Sequence, residues 1–98
     1  MSQFPDIFLK EFRWNPEKNQ HLKEQRGISF EIILLAIQMG KLLDVIEHPN
    51  PERYPNQRIF VVEIKNYVYL VPFVEDATSV FLKTIIPSRK MKSRYLRE

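Results

Sequence analysis

Two histidines, His21 and His48, are the only side chains in this sequence whose ordinary pKa lies near neutrality, so they are the first candidates for moving a proton. His48 ends an apolar stretch and opens an irregular loop. His21 lies in a segment read as an exposed helix, with Glu17 one turn before it as an ion-pair partner. His48 is therefore the stronger candidate. Tyr95 is a further proton donor, or else a ring packed down one helical turn from Met91. The cations gather at the C-terminal end. Lys83, Arg89, Lys90, Lys92, Arg94 and Arg97 face a single acid, Glu98, so residues 83–98 carry +5 and the remainder −2. Arg89 offers a flat two-pronged donor and Lys83 and Lys90 compact charges, beside Ser88 and the backbone donors of a helix start. That grouping suits phosphate or another polyanion. The plain alternative is a solvated basic tail.

Other chemistries find no residues to carry them. Without cysteine there is no disulfide, thiolate nucleophile or thiolate-bound zinc. No cluster has metal-ligand spacing, and neither a glycine-rich phosphate loop nor a Ser-His-Asp arrangement is present, so no metal and no cofactor is expected. A chain of 98 residues, 44% hydrophobic and 28% charged, has the size and composition of one domain. No apolar run reaches the roughly 18–20 residues that span a bilayer. The start, Met1-Ser2-Gln3-Phe4-Pro5-Asp6, lacks the basic region of a signal peptide. The expected location is the cytoplasm, away from any membrane.

The elements that must position these groups follow from caps and periodicity. Residues 1–11 carry no clear signal, and one domain is expected over 12–98. Phe12-Arg13-Trp14 reads as a short strand. Asn15 is an N-cap and Pro16 occupies the favoured first helical position, so a helix starts there and stops at Gly27. Leu22 is its only strongly apolar residue, so Leu22, Trp14 and Ile28 must fasten it to the core. Ser29 caps a second helix, with Ile28 and Ile33 at staple spacing, that ends at Gly40. Its residues are apolar nearly all round, which marks the core helix, with Ile33, Leu34 and Ile37 against the sheet.

Strands are expected over residues 42–47, 59–64, 68–74 and 80–86. A loop with three prolines, 48–56, follows the first of these, and a hairpin at Lys65-Asn66 joins the second and third. Pro72 cannot donate to a ladder, which predicts an edge or a bulge there. Ser88 then caps a short basic helix ending near Leu96. The layout is β-α-α-β-β-β-β-α, an α+β domain with an antiparallel sheet packed on helices.

Two motifs carry a resemblance. The run Phe12-Arg13-Trp14-Asn15-Pro16-Glu17-Lys18-Asn19, followed by Arg26-Gly27-Ile28-Ser29-Phe30-Glu31, resembles the N-terminal signature of BrnT-type toxins. Lys83-Thr84-Ile85-Ile86-Pro87-Ser88-Arg89-Lys90 is similar to the family's last strand and the start of its charged helix. Arg26 stands where the family commonly has a His before the glycine, and the proline-rich loop replaces its usual acidic turn. The resemblance covers about residues 12–97. It implies a RelE-like fold and the toxin of a type II toxin–antitoxin pair, a ribonuclease silenced in a hetero-oligomer with a cognate antitoxin.

Cutting RNA without a metal requires a proton acceptor, a proton donor and cations for the charge developing on phosphorus. Lys83, Arg89, Lys90 and His48 are the expected catalytic set. Arg13, Lys18, Arg58, Lys92 and Arg94 are the expected RNA contacts, with Tyr54, Tyr67 and Tyr69 either stacking bases beside Arg53 or Arg58 or packing on the sheet. The alternative function is a noncatalytic module that grips RNA or an acidic protein through the same basic end. A DNA-binding regulator ranks third, because residues 29–39 form an apolar rather than a basic second helix.

Overall fold

The computed structural model describes residues 9–96. The expectations for residues 1–8 and for Arg97 lie outside the described residues. The elements are β1 (Glu11–Trp14), α1 (Pro16–Arg26), α2 (Phe30–Gln38), β2 (Leu42–Glu47), β3 (Gln57–Ile64), β4 (Tyr67–Glu75), β5 (Ser79–Leu82), β6 (Ile86–Pro87) and α3 (Arg89–Tyr95). The α+β reading holds, with one strand more than expected.

The helix boundaries form where the capping chemistry places them. Asn15 Oδ1 accepts from the N–H groups of Glu17 and Lys18 at 2.8 and 3.2 Å, supplying two of the orphan donors of α1. Gly27 then turns the chain out of the helix at φ 65°, the left-handed region that a side chain disfavours. Ser29 caps α2 through the N–H of Ile32, and Ser88 caps α3 through that of Met91. Buried Asn19 joins the first two helices. Its Oδ1 accepts from the Phe30 N–H and its Nδ2 donates to Glu31, each at 2.8 Å. The Asn19 amide, with Lys23 nearby, holds the Glu31 carboxyl below its usual range.

The main sheet runs β1-β5-β4-β3-β2, with β6 beside β4. The β3–β4 hairpin turns at Lys65 and Asn66, both at positive φ, as a two-residue turn between right-twisted strands requires. Two expectations are corrected here, and one alternative is decided. The sheet is mixed, because β1 pairs parallel with β5. Residues 80–86 are not one strand, since the chain leaves the ladder at 83–85. Finally, β4 is an inner strand, the edges of the sheet being β1 and β2. Of the edge or bulge expected at Pro72 it is therefore the bulge that occurs, with one extra residue on the partner side between Leu82 and Ile86.

Pro72 accounts for the break. Its carbonyl accepts from the Lys83 N–H at 2.8 Å, and a residue's N–H and C=O point to the same side of a strand. The missing donor of Pro72 therefore faces the neighbour on that side, which is where β5 ends and β6 takes over. The proline interrupts the partner strand rather than its own.

Alternation divides the side chains between two faces. Phe60, Val62, Val71, Phe73, Val80 and Leu82 face α1 and α2 and form the core with Leu22, Ile28, Phe30, Ile33 and Ile37. Trp14 stacks on Phe30 at 5.6 Å and Phe60 on Phe73 at 3.9 Å. Ile33 and Ile37 are buried as expected, while Leu34 is only partly so. The opposite face carries Ile59, Val61 and Val68, all buried. There α3 lies across β4 and reaches β2, where the Tyr95 hydroxyl donates to Asp44 at 2.7 Å. The helices thus cover both faces of the sheet. Among the described residues no helix is long and apolar enough to cross a membrane.

Candidate nucleic-acid interface

The segment from 83 to 88 runs alongside β4. Lys83 stands level with Pro72, Ile86 with Leu70, and Ser88 donates its N–H to Val68. Four residues of β4 separate the first and last of these levels, about 13 Å of strand. Lys83 therefore does not share one compact centre with Arg89 and Lys90. Its Nζ lies 5.9 Å from the Phe81 ring, on the face of the sheet that also carries α3 and Arg13. Arg89 and Lys90 occupy the exposed first turn of α3. These cations suit successive phosphates of a strand better than a single transition state.

His48 is further removed. It follows the edge strand β2, three strands or roughly 14 Å from β5. Its ring packs on Tyr54 with centroids 4.3 Å apart, and its Nδ1 accepts from the Asn50 N–H at 3.1 Å. His48 organises the proline-rich loop. The geometry separates it from Lys83 and Arg89, which corrects its place in the expected catalytic set.

Arg58 is likewise committed. It pairs with Glu75, lies 5.4 Å from the Phe73 ring, and shares Glu75 with Lys10, whose Nζ is 2.9 Å from the carboxylate. These cations, Lys10 first, hold the Glu75 carboxyl below its ordinary 4.5. An open recess of about 320 Å³ beside this corner is lined by Glu47, Asn56, Arg58 and Glu75. Two of its four side chains are acidic and its cation is paired, so Arg58 is withdrawn as an RNA contact. Lys92 lies 5.7 Å from the Tyr67 ring, which leaves its charge available. Arg13 is 3.9 Å from Glu11 and both are exposed, a pair that salt and ligand readily displace.

The opposite side of segment 83–88 meets α1. Lys18, His21, Leu22, Gln25 and Arg26 line a cavity of about 220 Å³ with Thr84, Ile85 and Ile86. The helical residues recur at the three- and four-residue steps of one face, with buried Leu22 anchoring that face to the core. Arg26 Nη1 donates to the Ile85 carbonyl at 3.3 Å. Among the described residues no ion pair joins His21 to Glu17, the plain alternative for this histidine. Sequence reasoning placed Lys18 among the RNA contacts but missed Arg26, Gln25 and Thr84. The shared helix face was legible, but the segment that closes the cavity comes about sixty residues later.

Among the described residues, no carboxylate ion-pairs with Lys18, Arg26, Lys83, Arg89, Lys90, Lys92 or Arg94. No group of three or more His, Asp or Glu is placed to hold a metal. The fold and site together define a mixed α+β domain with cations free of carboxylate partners on both sides of segment 83–88. Comparison with protein-family models, curated proteins and solved structures finds no match.

Proposed function

We propose that this protein is the toxin of a type II toxin–antitoxin pair, a RelE-like ribonuclease that cuts RNA in the cytoplasm without a metal. The observation that carries the reading is the set of unpaired cations flanking segment 83–88, where the second BrnT-like motif lies. In the reaction the 2′-oxygen attacks the adjacent phosphorus and loses its proton to an acceptor. The P–O5′ bond breaks, and the departing 5′-oxygen takes a proton from water. The products are a 2′,3′-cyclic phosphate and a free 5′-hydroxyl. Cations fixed where negative charge develops stabilise that passage.

The antitoxin meets a different surface from the RNA. Ile32, Leu35 and Met39 project from α2 and line an apolar recess of about 310 Å³, rimmed by Lys41, Glu63 and Lys65. That surface suits an amphipathic segment whose apolar side fills the recess and whose acids meet the two lysines.

The test is incubation of purified, antitoxin-free protein with unstructured RNA and with DNA of the same sequence, in EDTA. RNA should be cut and DNA left intact. If folded protein binds the RNA but leaves it whole, a noncatalytic RNA-binding module takes the place of the ribonuclease.

A further inference from the structure

The open recess between α1 and segment 83–88 brings together two of the groups that the cleavage needs, cations and a proton acceptor, beside an apolar wall. Lys18 and Arg26 supply positive charge, His21 supplies the one imidazole available there, and Leu22, Ile85 and Ile86 supply an apolar wall. Lys18 and His21 are one helical turn apart, and Gln25 lies one turn beyond His21. Arg26 is steadied by the Ile85 carbonyl, which leaves its remaining N–H donors for an oxyanion. The wall suits the flat face of a base or ribose, and the cations suit the phosphate attached to it. His48, the other imidazole, is held by Tyr54 and the Asn50 N–H on the edge-strand side of the sheet.

From this geometry we infer that the α1 cavity receives one nucleotide of the RNA and that His21 is the catalytic residue that accepts the 2′-hydroxyl proton. This assignment rests on the ribonuclease reading above. Arg26 binds the scissile phosphate, Lys18, about 12 Å further back along α1, binds a neighbouring one, and Lys83, Arg89 and Lys90 guide the strand on either side. When His21 takes the proton, the 2′-oxygen bonds to phosphorus, the P–O5′ bond breaks, and the 5′-oxygen is protonated by water. The imidazolium then returns its proton to solvent. No electrons are exchanged and no co-reactant other than water is needed.

The experiment compares wild type, His21→Gln and His48→Gln in RNA cleavage across pH in EDTA, each variant first shown folded by its thermal unfolding. A binding arm follows the two histidine ring proton resonances by NMR while a 2′-O-methyl oligoribonucleotide, which cannot be cut this way, is added. His21→Gln should lower the rate by about 10²–10⁴-fold and remove the acidic limb of the pH profile, while His48→Gln stays close to wild type. In the binding arm only the His21 resonances should shift. If wild type cuts RNA and His21→Gln cuts it equally well, or if the oligoribonucleotide moves His48 and not His21, the assignment falls and the ribonuclease reading stands. If folded wild type cuts nothing, both fall.

Discussion

The protein has two cationic corners built from similar side chains with opposite outcomes. At one, Lys10 and Arg58 converge on Glu75, and Arg58 also packs on the Phe73 ring. At the other, Lys18 and Arg26 line a cavity with His21 and no carboxylate. The first corner ties both its cations to one carboxylate and pins the chain ahead of β1 to β3 and β4. The second has no carboxylate against its cations, with Arg26 held only by the Ile85 carbonyl, which leaves their charge free for a ligand. A basic residue is therefore read by its neighbours: Arg58 looked like an RNA contact in the sequence and serves as a structural brace.

The largest effect is expected from the core that holds the domain together. Ile37 of α2 is buried in the core, so Ile37→Ala should cost about 2–5 kcal/mol, read as a lowered denaturant midpoint. An unchanged midpoint would mean that α2 does not hold the sheet. Next come the charges. Lys83→Ala should weaken binding to single-stranded RNA and reduce the slope of log affinity against log salt by about 0.7, the share of one phosphate contact. Arg58→Ala should leave that slope as it is. Equal slope changes in the two variants would erase the distinction between braced and free cations.

The braced corner also has a pH signature. The folded-state pKa of Glu75 lies below its ordinary 4.5, so its contribution is present above that value and is lost as pH falls through the lower folded value. Glu31 behaves alike, its carboxylate favoured chiefly by Asn19. Glu75→Gln should therefore cost about 1 kcal/mol or less at neutral pH, with the difference from wild type closing in acid. Urea titrations at pH 7 and in strong acid would show it, and a constant difference would contradict the ion-pair account. An effect of similar size is expected at Tyr95, whose hydroxyl bonds Asp44 and whose pKa that bond raises. Tyr95→Phe should cost about 0.5–1.5 kcal/mol, measured by the same unfolding, and leave RNA cleavage unaltered.

Local signals were the most legible. Asn15, Pro16 and Gly27 mark α1, Ser29 opens α2, Lys65-Asn66 makes the hairpin and Ser88 opens α3, because each cap or turn acts on backbone groups within a few residues. The sheet order was harder, since β1 and β5 pair across more than sixty residues and no local pattern encodes a parallel partner. Pro72 was recognised as a missing donor, but a proline in a strand also disturbs its neighbour, and that consequence appears only once β5 is beside it. The site followed the same division. Lys18 and His21 share a helix face that spacing alone reveals, whereas Thr84–Ile86, which closes the cavity, reaches them through the fold. His48 drew attention as a histidine in a loop, where its ring in fact organises that loop.

The most direct measurement uses two RNAs of one sequence that differ only in 2′-O-methylation, each incubated in EDTA with the purified protein alone. Cleavage confined to the unmethylated RNA, with fragments ending in 2′,3′-cyclic phosphate, is the expected result. Unmethylated RNA that stays whole while bound to folded protein, or equal cutting of both RNAs, would contradict a metal-free ribonuclease acting through the 2′-hydroxyl.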